Sequence, residues 1–150
     1  MTEVDFHTGV ADPLAYSCRL LRKAWRSGRQ VVVSGAAETL SRLDALLWTF
    51  DPGEFIPHAR LRAGEAVAPL LRRTPIWLAD RPADAGLGDV LLNLGPDPAQ
   101  DATAFARLIE VVGDSADEVD SGRLRWRHAR SLGLAPRNHP QAGERPAGAD

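Results

Sequence analysis

A short stretch of consecutive apolar residues limits the possible folds of this chain most strongly. Residues 31–34 read Val-Val-Val-Ser, and they follow a Ser27-Gly28 break. A strand that is apolar at every position is buried on both faces, which is typical of a parallel sheet with helices on each side. Residues 75–79 and 90–94 have the same character. The chain therefore predicts a parallel sheet whose strands are joined by crossovers.

Helical patterns lie between these strands. Asp12 and Pro13 predict the start of a helix, as N-cap and first helical residue. Residues 38–48 and 114–132 give a second and a third helix. Strands are expected at residues 3–7 and in the second half of 105–112. The prediction is an α/β fold of three layers with a mainly parallel sheet.

Two other regions show weaker patterns. Residues 55–58 are extended but contain a proline, which predicts an edge strand or a shaped loop. Residues 60–73 are expected to form a loop. We expect one domain over residues 1–134. Residues 135–150 are rich in proline and poor in apolar residues, which predicts a disordered tail.

Composition excludes several classes of protein. Cys18 is the only cysteine, so an internal disulfide and a thiolate metal cage are excluded. The formal net charge of -2 excludes a uniformly basic nucleic-acid binder. No apolar run approaches the ~20 residues of a membrane span. The N-terminus is short and acidic, unlike a signal peptide. We therefore expect a cytoplasmic protein without a membrane partner.

Signals for catalysis are weak. The Ser34-Gly35 turn follows a buried strand, where a nucleotide binds in many α/β folds. It has one glycine, however, and it lacks the Gly-Lys-Ser/Thr of a phosphate-binding loop. The four histidines do not have metal-site spacing, although His7 and His58 at strand ends leave acid-base chemistry conceivable. No cofactor is predicted, and a small nucleotide- or metabolite-binding enzyme is the alternative function.

The third predicted helix carries the clearest binding signal. Its first half is acidic and its second half is basic, an order that suits the helix dipole. Four residues at i, i+3, i+4 and i+7 share one face: Arg123, Trp126, Arg127 and Arg130. A second face is predicted to be the core face: Leu124, His128 and Leu132.

A tryptophan flanked by guanidinium groups suits an acidic ligand that also carries an aromatic or apolar group. The structural alternative is a tryptophan packed at the sheet edge among solvated arginines. Direct binding of single-stranded DNA also fits such a stripe. The negative net charge and the single aromatic residue disfavour that third possibility.

A second candidate surface surrounds the Pro52-Gly53 turn. Trp48, Phe50 and Phe55 lie on either side of it, which is more aromatic area than a turn requires. Either this loop folds back on the core, or Trp48 and Phe55 form an exposed apolar patch for a partner. The pattern favours neither possibility.

Several motifs of the chain occur together in one order over residues 3–134. The most specific one is residues 42–58, RLDALLWTFDPGEFIPH, in which a tryptophan is followed after six residues by Phe-Ile-Pro-His. Supporting motifs are Asp5-Phe6 and residues 24–28, 61–65, 75–78, 90–94 and 123–128. Together these motifs resemble, in the same order, those of the chi subunit of bacterial DNA polymerase III holoenzyme.

The resemblance implies a Rossmann-like fold without a nucleotide cofactor. It implies a non-catalytic accessory subunit of a DNA-directed DNA polymerase, a nucleotidyltransferase. Such a subunit links the clamp loader to single-stranded-DNA-binding protein by holding that protein's acidic C-terminal tail, so its relation to DNA is indirect. By correspondence with the family motif, the tail-binding residues are Arg123, Trp126 and Arg127, with Arg130 adding charge.

The resemblance also implies a second partner, the psi subunit of the clamp loader or its equivalent. The residues that correspond to the psi-facing surface are Trp48 and Phe55, with Ile56 and Pro57 beside them. Some family members engage a helicase through the same face.

Overall fold

Seven strands and three helices form the part of the chain that the computed structural model describes, residues 1–141. The strands are β1 (Glu3–Val10), β2 (Val31–Ser34), β3 (His58–Leu61), β4 (Ile76–Ala79), β5 (Val90–Asn93), β6 (Arg107–Gly113) and β7 (Arg137–Pro140). The helices are α1 (Pro13–Arg26), α2 (Ala37–Thr49) and α3 (Ala116–Ser131).

The strands form one parallel sheet in the order β3-β4-β2-β5-β6-β1-β7. The apolar run at β2 lies near the centre, where Val32 is paired with Trp77 of β4 and with Leu91 of β5. All residues of β2, β4 and β5 are buried, as expected for strands covered on both faces. The predicted three-layer, Rossmann-like α/β fold is confirmed.

Two apolar cores lie on opposite faces of the sheet. On one face, α1 and α2 bring Leu21, Leu40 and Leu43 against the sheet. On the other face, Ala129 of α3 belongs to a core that includes Leu91. Alternate residues of each strand point to opposite faces, so one strand serves both cores.

The start of α1 and the position of β3 show how local signals set element boundaries. The Asp12 carboxylate accepts a hydrogen bond from the Ala15 amide at 3.2 Å, and Pro13 is the first helical residue, as predicted. Of residues 55–58, predicted as an edge strand or a shaped loop, only His58 lies in the edge strand β3, and residues 55–57 form a loop that leads into it. Residues 60 and 61 belong to this strand, so the prediction of a loop from residue 60 is wrong at its start.

Strand β7 corrects the predicted disordered tail. Residues 137–140 pair in parallel with β1, so the tail prediction is wrong there. All four side chains of β7 are exposed, which explains why no apolar pattern marked a strand. Backbone pairing and contacts to polar β1 side chains hold it instead. Residues 142–150 lie outside the described residues.

Within residues 1–141, no helix combines the length and the apolar character that a membrane crossing requires.

Candidate functional site

Helix α3 begins with a capped, acidic first turn. The Ser115 hydroxyl accepts a hydrogen bond from the Glu118 amide at 3.3 Å. Asp117 and Glu118 lie in this first turn, and His128 and Arg130 lie in the last. This arrangement places negative charge at the positive end of the helix dipole and basic groups at the negative end.

The buried face of α3 differs from the predicted one. Leu124 and Leu132 are 46% and 44% exposed, so the prediction of a Leu124, His128 and Leu132 core face is wrong. The residues that α3 buries are instead Gly122, Arg125 and Ala129. The physical reason is an ion pair: α3 is rotated about its axis so that Arg125, and not Leu124, faces the sheet.

That ion pair joins Arg125 to Glu110 of β6. The Arg125 Nη1 and Glu110 Oε1 atoms are 2.5 Å apart, and both side chains are 2% exposed. Asn93 Nδ2 of β5 donates a second hydrogen bond to Glu110 at 3.0 Å, and Asn93 Oδ1 accepts one from Ser34 Oγ at 3.0 Å. Burial raises the pKa of Glu110 to about 7, against the lowering effect of Arg125. This polar network fixes the middle of α3 to the sheet.

A glycine allows α3 to approach the sheet closely. A Cβ atom on Gly122 would lie 2.6 Å from Val112 Cγ1 of β6, which is too close for any other residue without a shift. The close packing brings Trp126 over β1, where its ring lies 5.0 Å from the Phe6 ring, centroid to centroid, at 62°. Edge-to-face geometry of this kind is favourable for aromatic pairs.

A cavity of about 410 Å³ opens between α3 and the edge formed by β1 and β7. We call it the α3 pocket. It is lined by Phe6, Thr8, Gly9, Val112, Val119, Gly122, Arg123, Trp126, Arg127 and Asn138. Its floor is apolar, its rim on α3 carries two arginines, and its far wall on β1 and β7 is polar. Cavities of this size hold a large side chain together with part of its backbone.

The structure brings three of the four predicted α3 residues to this pocket. Trp126 is half-buried, while Arg123 and Arg127 are exposed on the rim. Among residues 1–141, the Arg123 guanidinium has a single, distant ion-pair partner, Asp120 at 3.8 Å, and both side chains are more than 70% exposed. Arg127 forms no ion pair with any residue of the described chain. Arg130 is exposed and does not line the pocket.

Sequence reasoning missed the polar wall. The Thr8 hydroxyl donates a hydrogen bond to Asn138 Oδ1 at 2.7 Å, which joins β1 to β7 beside the pocket. No sequence signal identified Asn138, because the strand that carries it has no apolar pattern.

The second predicted surface is an exposed aromatic patch, formed by Trp48 and Phe55, while Pro57 is half-buried and lines a different cavity together with Trp25 and Arg29. Trp48 and Phe55 are each 59% exposed, and their rings lie 5.4 Å apart. This resolves the open alternative in favour of an exposed surface. Ile56 is 1% exposed and packs in the core beneath α1 and α2. The prediction that Ile56 belongs to the partner surface is therefore wrong, because neighbouring core residues cover the Ile56 side chain.

Ion pairs hold the loop that carries the aromatic patch. Arg22 Nη1 of α1 lies 3.1 Å from Asp51 Oδ2, and Arg26 forms an ion pair with Glu54. The Arg22 guanidinium also lies 4.9 Å from the centre of the Phe50 ring. These contacts place the loop against α1 without covering Trp48 or Phe55.

The Ser34-Gly35 turn borders a separate cavity of about 260 Å³. Asp80 and Asp97 line it, and no arginine, lysine or histidine of the described chain does. The Ser34 hydroxyl is engaged with Asn93. The Asp80 carboxylate is paired with Arg60 Nη2 at 2.5 Å, and Asp97 adds a second carboxylate, so no cation of the described chain in this lining is free to bind a phosphate group.

His7 and His58 do not form a common site; the histidine that lies beside His7 is His139, with the two ring centres 5.4 Å apart. His7 lies on β1, where its ring nitrogen contacts the Tyr16 hydroxyl, and His58 lies on β3 beside Asp44 at 3.0 Å. Four strands separate β1 from β3, which corresponds to roughly 24 Å. In residues 1–141, no three His, Cys, Asp or Glu side chains cluster as metal ligands.

The fold and the α3 pocket define a Rossmann-like α/β protein with a cavity at one edge of the sheet. The same architecture occurs in the solved C-terminal domain of S. cerevisiae Dbp5 bound to Gle1 and IP6. The similarity has a TM-score of 0.59 at 8% identity, and it covers 95% of this chain and 91% of that chain. At this identity, the likeness concerns the fold alone.

Sequence similarity identifies the family. Residues 1–137 match the model of a family described as DNA polymerase III chi subunit, HolC. The DNA polymerase III subunit chi of Pseudomonas aeruginosa is 35% identical over 144 residues, which cover 93% of this chain and 96% of that protein. The subunit chi of Haemophilus influenzae is 31% identical over 121 residues, 78% of this chain and 79% of that protein. The chain therefore belongs to the DNA polymerase III chi subunit family. The chi subunit is an accessory subunit in DNA replication.

Proposed function

We propose that this chain is a non-catalytic adaptor that joins two proteins in the bacterial cytoplasm. The α3 pocket holds the acidic C-terminal tail of single-stranded-DNA-binding protein. The aromatic patch attaches to the clamp loader, through the psi subunit or its equivalent. A helicase is a further candidate partner for that patch. Contact with DNA is then indirect, and no cofactor takes part.

The combination of surfaces within the α3 pocket carries this proposal. Trp126 and the apolar floor offer area to an aromatic side chain, and the two rim arginines offer guanidinium groups to carboxylates. Arg127 is exposed and has no ion-pair partner in the described chain, so it can bind a carboxylate without first losing another contact. An acidic chain end with a terminal aromatic residue matches all of these features.

The positions of the two surfaces support an adaptor. The α3 pocket lies beside β1 and β7, at one edge of the sheet. The aromatic patch lies beside β3 at the other edge, where the Trp48 ring is 4.8 Å from the His58 ring. Roughly 24 Å of sheet separates them. Two partners can therefore be held at once without contacting each other.

We expect Arg127→Ala to weaken binding of a synthetic acidic peptide that ends in Asp-Phe with a free carboxylate. A charge-assisted contact at the pocket rim contributes about 1–3 kcal/mol, which corresponds to roughly a 5- to 150-fold loss of affinity. Isothermal titration calorimetry at low ionic strength measures the change.

Arg130→Ala is the matched control for Arg127→Ala. It removes the same charge from the same helix, one turn away from the pocket lining. Its effect should be limited to long-range attraction and should disappear at 1 M salt, where the Debye length is ~3 Å. Equal losses for the two variants, or no loss for Arg127→Ala, would contradict the assigned site.

The aromatic patch makes a separate prediction. The double variant Trp48→Ala, Phe55→Ala should lose association with clamp-loader subunits and should still bind the tail peptide with wild-type affinity. Exposed aromatic residues at the centre of an interface commonly contribute roughly 2 kcal/mol or more each. Co-purification from the native host, followed by peptide titration of the same sample, measures both properties. Retained association would place the clamp-loader surface elsewhere.

The alternative function, a small nucleotide- or metabolite-binding enzyme, predicts a different ligand response. A nucleotide that binds the native state raises the melting temperature, as does any ligand specific for the folded protein. The adaptor should be stabilised by the tail peptide and not by nucleotides. The two carboxylates that line the cavity at Ser34-Gly35 favour the adaptor.

A further inference from the structure

Strand β7 is held in the sheet by backbone pairing but not by buried side chains. It has four residues, all of them exposed, and it pairs with β1 on one side only. An edge strand without buried side chains gains little from the hydrophobic effect and belongs to the part of a fold that opens most easily. Its side-chain contacts to β1 therefore decide whether it remains in place.

Asp5 of β1 provides most of these contacts. Its carboxylate is 4% exposed and is fixed in a central part of β1. One oxygen lies 2.8 Å from His139 Nε2 and 3.0 Å from Arg137 Nε, and the other lies 3.3 Å from Arg137 Nη2. A single buried carboxylate thus holds two of the four residues of β7.

Asp5 is ionised in this setting. Burial alone would raise the pKa of the carboxyl, but the hydrogen bond from His139 and the charges of Arg137 and Arg107 hold the pKa below its ordinary value. The contacts to β7 are therefore charge-assisted, which makes them stronger than neutral hydrogen bonds.

The two faces of β7 have different tasks. Arg137 and His139 point to the face of Asp5, since they are paired in register with Asp5 and His7. Asn138 lies between them, points to the opposite face, and lines the α3 pocket. Asp5 and the α3 pocket therefore lie on opposite faces of the sheet. Strand β7 connects them, because it contacts Asp5 on one face and lines the pocket on the other.

We propose that Asp5 is a positioning residue for the α3 pocket: it keeps β7 docked on β1, and β7 supplies the Asn138 wall that the bound tail contacts. This inference rests on the proposed function of the pocket. Because binding energies are reciprocal, an occupied pocket also holds β7 in place.

The experiment uses the full chain and the same Asp-Phe peptide with a free carboxylate. Asp5→Asn keeps the size of the side chain and removes its charge. We expect peptide affinity to fall roughly 2- to 30-fold, the range for residues that act on a site through another element. Amide NMR signals of residues 137–139 should lose their strand chemical shifts in the free variant and recover them when the peptide is saturating. A purely structural role of Asp5 would not produce that recovery.

Arg107→Gln is the matched control. Arg107 contacts the same carboxylate at 3.3 Å and also Glu3 at 2.9 Å, but it lies on β6, away from β7. Its loss should leave peptide affinity within about twofold of wild type. The double variant Arg137→Gln, His139→Gln breaks the same contacts from the exposed side. The double variant should show the same loss of peptide affinity that is expected for Asp5→Asn. It therefore tests the inference even if the Asp5→Asn protein does not fold.

Each result has a defined meaning. If the wild type, Asp5→Asn and the double variant all bind the peptide equally well, this inference is overturned, while the proposed function of the pocket stands. Equal losses for Arg107→Gln and Asp5→Asn also overturn it, because the effect is then one of general stability. A wild type that does not bind the peptide overturns the proposed function, and the inference with it.

Discussion

Replacing Arg125 with alanine is expected to lower the free energy of unfolding by about 3–5 kcal/mol. The variant leaves the Glu110 carboxylate buried at 2% exposure without its cation. Removing one partner of a buried ion pair costs more than the pair itself contributes, because the Glu110 carboxyl is then buried without its cation and must either stay charged or take up a proton. Urea denaturation followed by circular dichroism measures the change.

Two comparisons show whether the buried charge is the cause. Arg130→Ala, which removes an exposed arginine of the same helix, should change stability by no more than about 0.5 kcal/mol. The double variant Arg125→Met, Glu110→Leu removes both charges and should recover most of the lost stability. A loss below about 1 kcal/mol for Arg125→Ala would mean that the ion pair does not fix α3 to the sheet.

Trp126→Ala is expected to reduce affinity for the Asp-Phe peptide by about 2–4 kcal/mol, or roughly 30- to 1000-fold. The indole is the largest side chain that lines the α3 pocket, and Arg123 and Arg127 of the same helix line the pocket with it. Fluorescence anisotropy with a labelled peptide measures the loss.

The indole also contacts Phe6, so its removal affects packing as well as binding. Trp126→Phe is the control, since it keeps an aromatic ring against Phe6 and should retain most of the affinity. Thermal unfolding of both variants separates lost binding from lost structure. Wild-type affinity in a folded Trp126→Ala protein would remove the pocket from the binding site.

The central elements of the fold could be predicted from local sequence. Continuous apolar runs marked β2, β4 and β5, because strands that are buried on both faces consist mostly of apolar residues. Asp12 and Pro13 marked the start of α1, because capping depends on residues adjacent in sequence. The spacing of Arg123, Trp126 and Arg127 also predicted a common face, which the structure places at one pocket.

The rotation of α3 could not be predicted in the same way. Leucines ordinarily mark the buried face of a helix, and α3 instead buries Arg125 and leaves Leu124 exposed. The partner that makes this possible, Glu110, lies 15 residues away on another element. Composition and periodicity contain no information about such a pairing.

Strand β7 was missed for a related reason. Its contacts depend on Asp5, which is 132 residues distant from Arg137 along the chain. Four exposed residues, two of them basic, look like a solvated tail in sequence. The polar wall of the α3 pocket, which Asn138 provides, was therefore absent from the predicted site.

The most direct test is a titration of uniformly ¹⁵N-labelled protein with the Asp-Phe peptide, followed by amide and indole NMR signals. The adaptor function predicts saturable shifts on both sides of one pocket: the Trp126 indole and Gly122 on α3, and Thr8, Gly9 and Asn138 on the facing strands. The same peptide with an amidated C-terminus should bind far more weakly. Unchanged spectra, or shifts confined to the Ser34-Gly35 turn, would contradict the proposal that this protein works by holding an acidic protein tail at α3.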